Sequence, residues 1–206
     1  YSPRYGAFTF LAPEISSPPA HRLARMLRRM PRRRKKKTLP PPLSSGPLAR
    51  KLAARFPAGA LVFCDASRLA HGGLGVVLYA APDSAPQFAS RQVALAGSNA
   101  LELQAAVFAL EVAVARWPGQ PFALFADNLA AVQRLANAKT GGRSSDPALW
   151  TLFAPLDLAA LLAQAGSINW VQGHARSRGN ALADAVARSA ALGEAFSAAT
   201  ALSAPG

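Results

Sequence analysis

Residues 170–188 read WVQGHARSRGNALADAVAR. This stretch sets His174 in a Gly- and Arg-rich loop and then enters a helix carrying Asn180 and Asp184. These two are four residues apart and project from one side of the helix, about one turn from each other. Leu182 and Val186 lie roughly 200° round from that edge, where they can pack inward. One side of the helix is therefore suited to a core, while the other presents an amide and a carboxylate. A carboxylate so placed is by default a solvated surface acid. Three acids upstream, each at a structurally special point, change its weight.

Working outward from this helix, the chain reads as alternating strands and helices. Residues 60–66 (ALVFCDA) form a short apolar run closing on an acid, as a buried strand does. Residues 72–80 (GGLGVVLYA) and 87–94 supply two more strands, and their short connections predict an antiparallel meander. Residues 99–117 form an Ala/Leu/Val helix with Ser98 or Asn99 as its N-cap. Residues 121–127 (PFALFAD) repeat the pattern of an apolar strand ending on an acid, and a short helix over 128–136 follows. After the loop KTGGRSSD, Asp146 reads as an N-cap with Pro147 at the first helical position. Helix then continues to about Gln164, interrupted at Pro155. Residues 167–172 (SINWVQ) are the fifth strand. A crossover of roughly 20 residues makes the first and fourth strands parallel and near neighbours. The expected fold class is α/β, a five-stranded mixed sheet of three antiparallel then two parallel strands, flanked by helices.

In open α/β sheets the binding crevice lies at the carboxyl ends of the strands, which is where Asp65 and Asp127 fall. Two turn-forming aspartates are the plainer alternative. Glu102 lies in the first turn of the crossover helix, whose stripe continues through Ala105, Ala106, Ala109 and Ala113, small residues that let a helix lie close to a sheet. Glu111 is about 180° round from Glu102 and reads as solvated, as do Asp83, Asp157 and Glu194. Asp65, Glu102, Asp127 and Asp184 then converge on one crevice without local Lys or Arg partners, and they repel one another strongly there. Hard divalent cations relieve such repulsion, and Mg²⁺ prefers oxygen ligands of this kind. Two ions about 4 Å apart are what in-line displacement at phosphorus uses.

Charge divides the chain. The formal net charge is +13 over 206 residues. Residues 1–58 hold 14 Lys and Arg against Glu14, a net of +13, which leaves 23 − 14 = 9 basic and 10 − 1 = 9 acidic groups in residues 59–206. Three domains of composition result: a basic, Pro-rich arm over 1–58, a globular body over 59–192 and an Ala/Ser-rich tail over 193–206. Within the arm, residues 20–30 suit a short basic amphipathic helix ended by Pro31. RRRKKK repels itself and stays extended unless an anionic partner neutralises it. A solvated linker, a nucleic-acid contact and a transit or nuclear-import tract all fit such an arm. Cys64 is the only cysteine, which excludes an internal disulfide and a cysteine-based zinc site; it reads as a small buried hydrophobe on the sheet face opposite Asp65. No apolar run approaches the roughly 20 residues of a bilayer span, and no signal peptide is evident. The expectation is an intracellular, non-secreted protein without a membrane partner, in the nucleus or cytoplasm rather than an organelle. The chain opens on Tyr1 rather than Met, as a processed piece of a longer protein does.

Asp65 in CDAS, Glu102 in ELQA, Asp127 in ADN, and GHARSRGNALAD with His174, Asn180 and Asp184 together resemble the ribonuclease H family. The similarity is greatest to the type-1 enzymes and to the domains attached to reverse transcriptases of retroelements. It covers about residues 59–192, and the final motif is its most specific part. The resemblance implies an endonuclease that hydrolyses the RNA strand of RNA–DNA hybrids with two Mg²⁺ ions, for which Mn²⁺ can substitute, leaving 5′-phosphate and 3′-hydroxyl ends. By the same resemblance Asp65 bridges both ions, Asp184 shares the one that holds the attacking water, and Glu102 and Asp127 help hold the other. His174 assists proton transfer or product departure. Ser67, Asn99, Asn128 and Asn180 match positions that bond backbone phosphates or the RNA 2′-OH, the group that distinguishes RNA from DNA.

Two features depart from the family. ADN replaces the more usual Thr-Asp-Ser, and the loop KTGGRSSD is too short for the basic helical protrusion with which some members grip hybrid; the arm at 22–37 is a candidate substitute. The basic lead-in also suits a domain of a retroelement polyprotein, with a reverse transcriptase upstream. A catalytically inactive nucleic-acid-binding or structural module on the same fold is the alternative. A DNA-acting nuclease or transposase on a related fold is the third reading.

Overall fold

The computed structural model describes residues 43–173 and 177–198. Before the sheet comes a short helix, α1 (Arg50–Ala53). Then follow β1 (Ala60–Arg68), β2 (Gly72–Tyr79), β3 (Gln87–Val93), the crossover helix α2 (Ser98–Arg116) and β4 (Phe122–Ala126). Helix α3 (Leu129–Gly141) runs into a 3₁₀ turn at Gly142–Ser145, and α4 (Pro147–Leu152), α5 (Leu158–Gln164), β5 (Ala165–Trp170) and α6 (Arg178–Leu192) complete the order. The sheet order is β3-β2-β1-β4-β5. β1–β2 and β2–β3 are antiparallel, β1–β4 and β4–β5 parallel, as the short and long connections predict.

Strand alternation in β1 divides the core. Val62 and Cys64 face one layer with Leu101, Ala105, Ala109 and Leu110 of α2. Leu61 and Phe63 face the other with Leu182, Ala183 and Val186 of α6. Cys64 is therefore the buried hydrophobe expected on the side away from Phe63, with its thiol pushed up by burial first and by the neighbouring acids Glu102, Asp65 and Asp127 next. On the α6 side Phe63 stacks on Phe125 at 5.0 Å with 19° between the rings. Both are fully buried, and removing either ring is a change of about 3–5 kcal/mol. Helix α6 lies directly on the backbone of β2, because a Cβ on Gly73 or Gly75 would collide with the Ala187 or Ala183 carbonyl.

Several boundaries differ from the sequence reading. Helix α2 starts at Ser98 with Gly97 as a cap that makes no side-chain bond, so neither Ser98 nor Asn99 caps it, and Glu102 stands just beyond the first turn. Glu111 is not simply solvated: its carboxylate meets Arg91 at 3.0 Å. Helix α3 continues to Gly141, and Asp146 caps α4 through the Leu149 N–H at 3.0 Å while Arg134 bridges its carboxylate. Asp157 caps α5. By length and composition α2 is apolar enough to cross a bilayer, a possibility the sequence reading passed over; half of it is buried inside the body, as in a core helix.

The arm boundary drawn at residue 58 also moves. Leu48 is 3% exposed, and Leu52, Ala53 and Phe56 pack against the α6-side core, with Phe56 edge-on to Phe125 at 5.0 Å. Their apolar side chains were hidden in a segment whose prolines and charges dominated its reading. The basic tract and helix expected within residues 1–42 lie outside the described residues. At the other end Gly193 takes a left-handed cap conformation, φ 76°, and Phe196 returns to meet Phe88 at 4.9 Å. The tail is anchored at least that far. Residues 199–206 lie outside the described residues.

Candidate active site

Parallel pairing of β1 with β4 sets Cys64 beside Ala126, and the residue that follows each of them is an acid. That register alone makes Asp65 and Asp127 neighbours. Asp65 is 7% exposed, and its Oδ1 accepts the Ala66 N–H at 2.7 Å. From the crossover helix, whose Ala105, Ala106, Ala109 and Ala113 are all buried against the sheet, Glu102 brings the third carboxylate. One oxygen each from Asp65, Glu102 and Asp127 lies within 4.8 Å of the others. Among the described residues no salt bridge joins any of the three to a Lys or Arg.

The electrostatics follow from this crowding. Burial, then the Asp127 charge and more weakly Asp184, push the Asp65 carboxyl up to about 8, against the opposing Ala66 N–H and Arg188. Burial also dominates at Glu102, and Asp65, Asp127 and Asp184 add to it, again giving about 8. Without a cation the cluster therefore holds protons at neutral pH. It is built from hard oxygen donors that cannot all ionise together, which fits a divalent metal and fits poorly with a structural ion pair.

The fourth expected acid stands apart. Asp184 contributes to the shifts of Asp65 and Glu102, so it is near the cluster, yet it is not among the converging oxygens. Its Oδ1 lies 3.8 Å from Arg188 Nε, one turn on, and both side chains are substantially exposed. The expected absence of a local basic partner is thus corrected for Asp184, because α6 supplies one at i+4. His174 lies outside the described residues.

The other candidate residues divide similarly. Asn180 is 5% exposed. Its Nδ2 reaches toward Asp127 Oδ2 at 3.5 Å, and its Oδ1 is buried with no partner among the described residues. Asn128 Nδ2 donates to Asn99 Oδ1 at 3.0 Å, and Asn128 Oδ1 caps α3 through the Ala131 N–H at 2.9 Å. The Asn of ADN therefore joins the crossover helix to the strand that ends on Asp127. Ser67 lies two residues beyond Asp65 in β1, half-buried and opposite Gly73 in the ladder.

Sequence reasoning missed two positions. Trp170 reads as a core or interface aromatic, but it is 47% exposed and its indole N–H donates to the Asp127 carbonyl at 2.8 Å. Its place opposite Ala126 in the β4–β5 ladder, one residue from the acid, is the signal that pointed there. Gly173 is the second: a Cβ there would stand 2.6 Å from Asp127 Oδ2, so a larger residue would displace the carboxylate from its present place.

Comparison with known proteins agrees with this geometry. No curated protein matches the chain significantly. Among solved structures the fold is similar to the RNase H domain of prototype foamy virus (TM-score 0.52, 16% identity, 67% of this chain and 97% of that one). It is also similar to the protease–reverse transcriptase of that virus (0.50, 18%, 65% and 21%). A third likeness is to LC9-RNase H1, a type 1 RNase H with the type 2 active-site motif (0.50, 20%, 77% and 76%). The sequence model of RNase H matches residues 57–192, a span that contains all four acids and most of the 206-residue chain, and the chain therefore belongs to the RNase H family, the metal-dependent ribonucleases that degrade RNA–DNA hybrids.

Proposed function

We propose that this chain cleaves the RNA strand of RNA–DNA hybrids endonucleolytically, with Asp65, Glu102, Asp127 and Asp184 holding a pair of Mg²⁺ ions. The observation that carries the reading is the convergence of the first three carboxylates within 4.8 Å without a salt-bridged base. Bound divalent cations would supply charge neutralisation at the phosphate and activation of water as a nucleophile. The rest falls to the chain itself. Asp65 and Glu102, protonated near neutrality when the site is metal-free, give up those protons on loading. Asp184 gives up a long, exposed contact to Arg188, worth roughly 0–1 kcal/mol, so turning to the site costs little. Asn180 Oδ1, a buried acceptor with no partner among the described residues, is assigned to the 2′-hydroxyl by which RNA is told from DNA. His174, in the loop between Gly173 and α6, is assigned to proton transfer or product departure.

The basic, Pro-rich residues 1–42 are assigned to nucleic-acid contact, and the domain to a retroelement polyprotein with a reverse transcriptase upstream. The one free, buried cysteine accords with an intracellular setting. The test uses labelled RNA–DNA hybrid, duplex DNA and duplex RNA, each incubated with Mg²⁺ or Mn²⁺. Cleavage of hybrid alone, lost in Asp127→Asn, is the expected result. Tight binding without cleavage under either metal would instead identify a non-catalytic module, and nicking of duplex DNA a different nuclease. Removing residues 1–42 should weaken hybrid binding and flatten its salt dependence; an unchanged salt slope would remove the arm from the interface.

A further inference from the structure

Helix α6 carries Asn180 and Asp184, yet its amino end lacks a cap of its own. Ser177, the capping residue, makes no side-chain bond to the first turn, and no acid lies in that turn. The orphan N–H groups are taken up from more than a hundred residues away. Arg178 N–H donates to Ser44 Oγ at 3.1 Å, and Gly179 N–H donates to the Pro47 carbonyl at 2.9 Å. In return Ala49 N–H donates to Ser177 Oγ at 3.2 Å. Ser44 is itself oriented, because its hydroxyl hydrogen goes to the Gly46 carbonyl at 2.6 Å, which leaves a lone pair for the Arg178 amide.

We propose that residues 44–49 form a strap that caps and positions the amino end of α6, making this segment part of the catalytic unit although the family match begins at residue 57. Apolar anchors fix the strap: Leu48 is buried, and Leu52, Ala53 and Phe56 pack on the same core as α6. The helix start has little room to move, because Gly179 lies so close to the Phe63 ring that a Cβ would stand 2.5 Å from it. One residue later the Asn180 amide faces Asp127. Losing the strap bonds releases the first turn of α6, and with it the register of Asn180 against Asp127. Ser44 and Pro47 are positioning residues in this scheme, with no contact to substrate.

The consequence for cleavage rests on the proposed activity, whereas the capping does not, and the experiment separates them. In the full chain, Ser44→Ala is compared with Ser44→Thr, which keeps the hydroxyl, and with Leu48→Ala, which loosens the strap from its anchor. Amide hydrogen exchange and hybrid-cleavage kinetics are read on each. Ser44→Ala should speed exchange at residues 177–181 by about fivefold, the equilibrium factor for losing an ordinary cap, while β1 and β4 amides stay protected. It should also lower kcat with KM unchanged, and Ser44→Thr should restore both. Leu48→Ala should act in the same direction more strongly. Wild-type exchange at 177–181 in both Ser44→Ala and Leu48→Ala overturns the strap. A fall in kcat without a local change in exchange overturns the positioning role. Should the unaltered chain cleave no hybrid at all, the activity fails while the exchange result still decides the cap.

Discussion

The three clustered acids and Asp184 are held by different kinds of structure. Asp65 and Asp127 follow directly from a hydrogen-bonded register in which Cys64 lies beside Ala126, and Glu102 rides a helix seated on the sheet through small buried residues. Asp184 sits on α6, next to Ala183, which packs on the backbone of Gly75, but its side chain has a second option in Arg188. The trio is preorganised by the sheet at the cost of burial first and mutual repulsion second, both visible in the raised carboxyls of Asp65 and Glu102. Asp184 still adds to the repulsion on Asp65 and Glu102, but it has a base within reach in Arg188. One half of the site is therefore fixed, and the other is adjustable.

The sharpest way to break this contrast is to neutralise one member of each half. Glu102→Gln should lower hybrid cleavage on the order of 10³-fold, because no neighbouring oxygen takes its place. Asp184→Asn should cost less, about 10- to 100-fold, and raising the Mg²⁺ concentration should recover part of it. Equal losses at saturating metal would erase the distinction. A smaller effect is expected at Trp170, whose indole N–H holds the Asp127 carbonyl. Trp170→Phe keeps an aromatic side chain but loses the indole N–H and part of the ring, so kcat should fall by roughly two- to tenfold with the sheet intact by circular dichroism. An unchanged kcat would reduce Trp170 to packing.

The smallest effect is on stability, and its sign follows from linkage. Asp65 and Glu102 have folded-state values near 8, above the usual carboxylate range near 4. Their protonation therefore favours the folded state. That contribution is fully present below about pH 4 and is lost as pH rises through about 8. The metal-free protein should melt roughly 3–10 °C lower at pH 9 than at pH 5, and Mg²⁺ should recover most of the difference at the higher pH. In Asp65→Asn the fall over this interval should be shallower, because only Glu102 still titrates; a Tm that falls equally in both would show that Asp65 is not its source.

The fold and the trio were legible because both rest on local pattern. Apolar runs ending on Asp65 and Asp127, a crossover long enough to enforce parallel pairing, and an alanine stripe beside Glu102 leave few other arrangements. Four features were less legible, and each depends on contact between distant segments or on a side-chain choice. Trp170 at the end of an apolar strand looks like core until its position opposite Ala126 is known. Gly173 looks like loop composition until Asp127 stands against it. Arg188 is at helical spacing from Asp184, but spacing does not say whether an acid prefers the base or the crevice. Leu48 and Phe56 were masked by surrounding prolines and charges, and their role appears only once α6 needs partners for its first amides.

The central claim is that carboxylates from three separate elements act as one cation site. Titration of the metal-free chain with Mn²⁺ at neutral pH, followed by electron paramagnetic resonance with proton release measured in parallel, tests it most directly. Bound Mn²⁺ accompanied by released protons is the expected result, with both signals lost in Asp127→Asn and in Glu102→Gln. Binding that survives both substitutions, or that releases no protons in the unaltered chain, would contradict it.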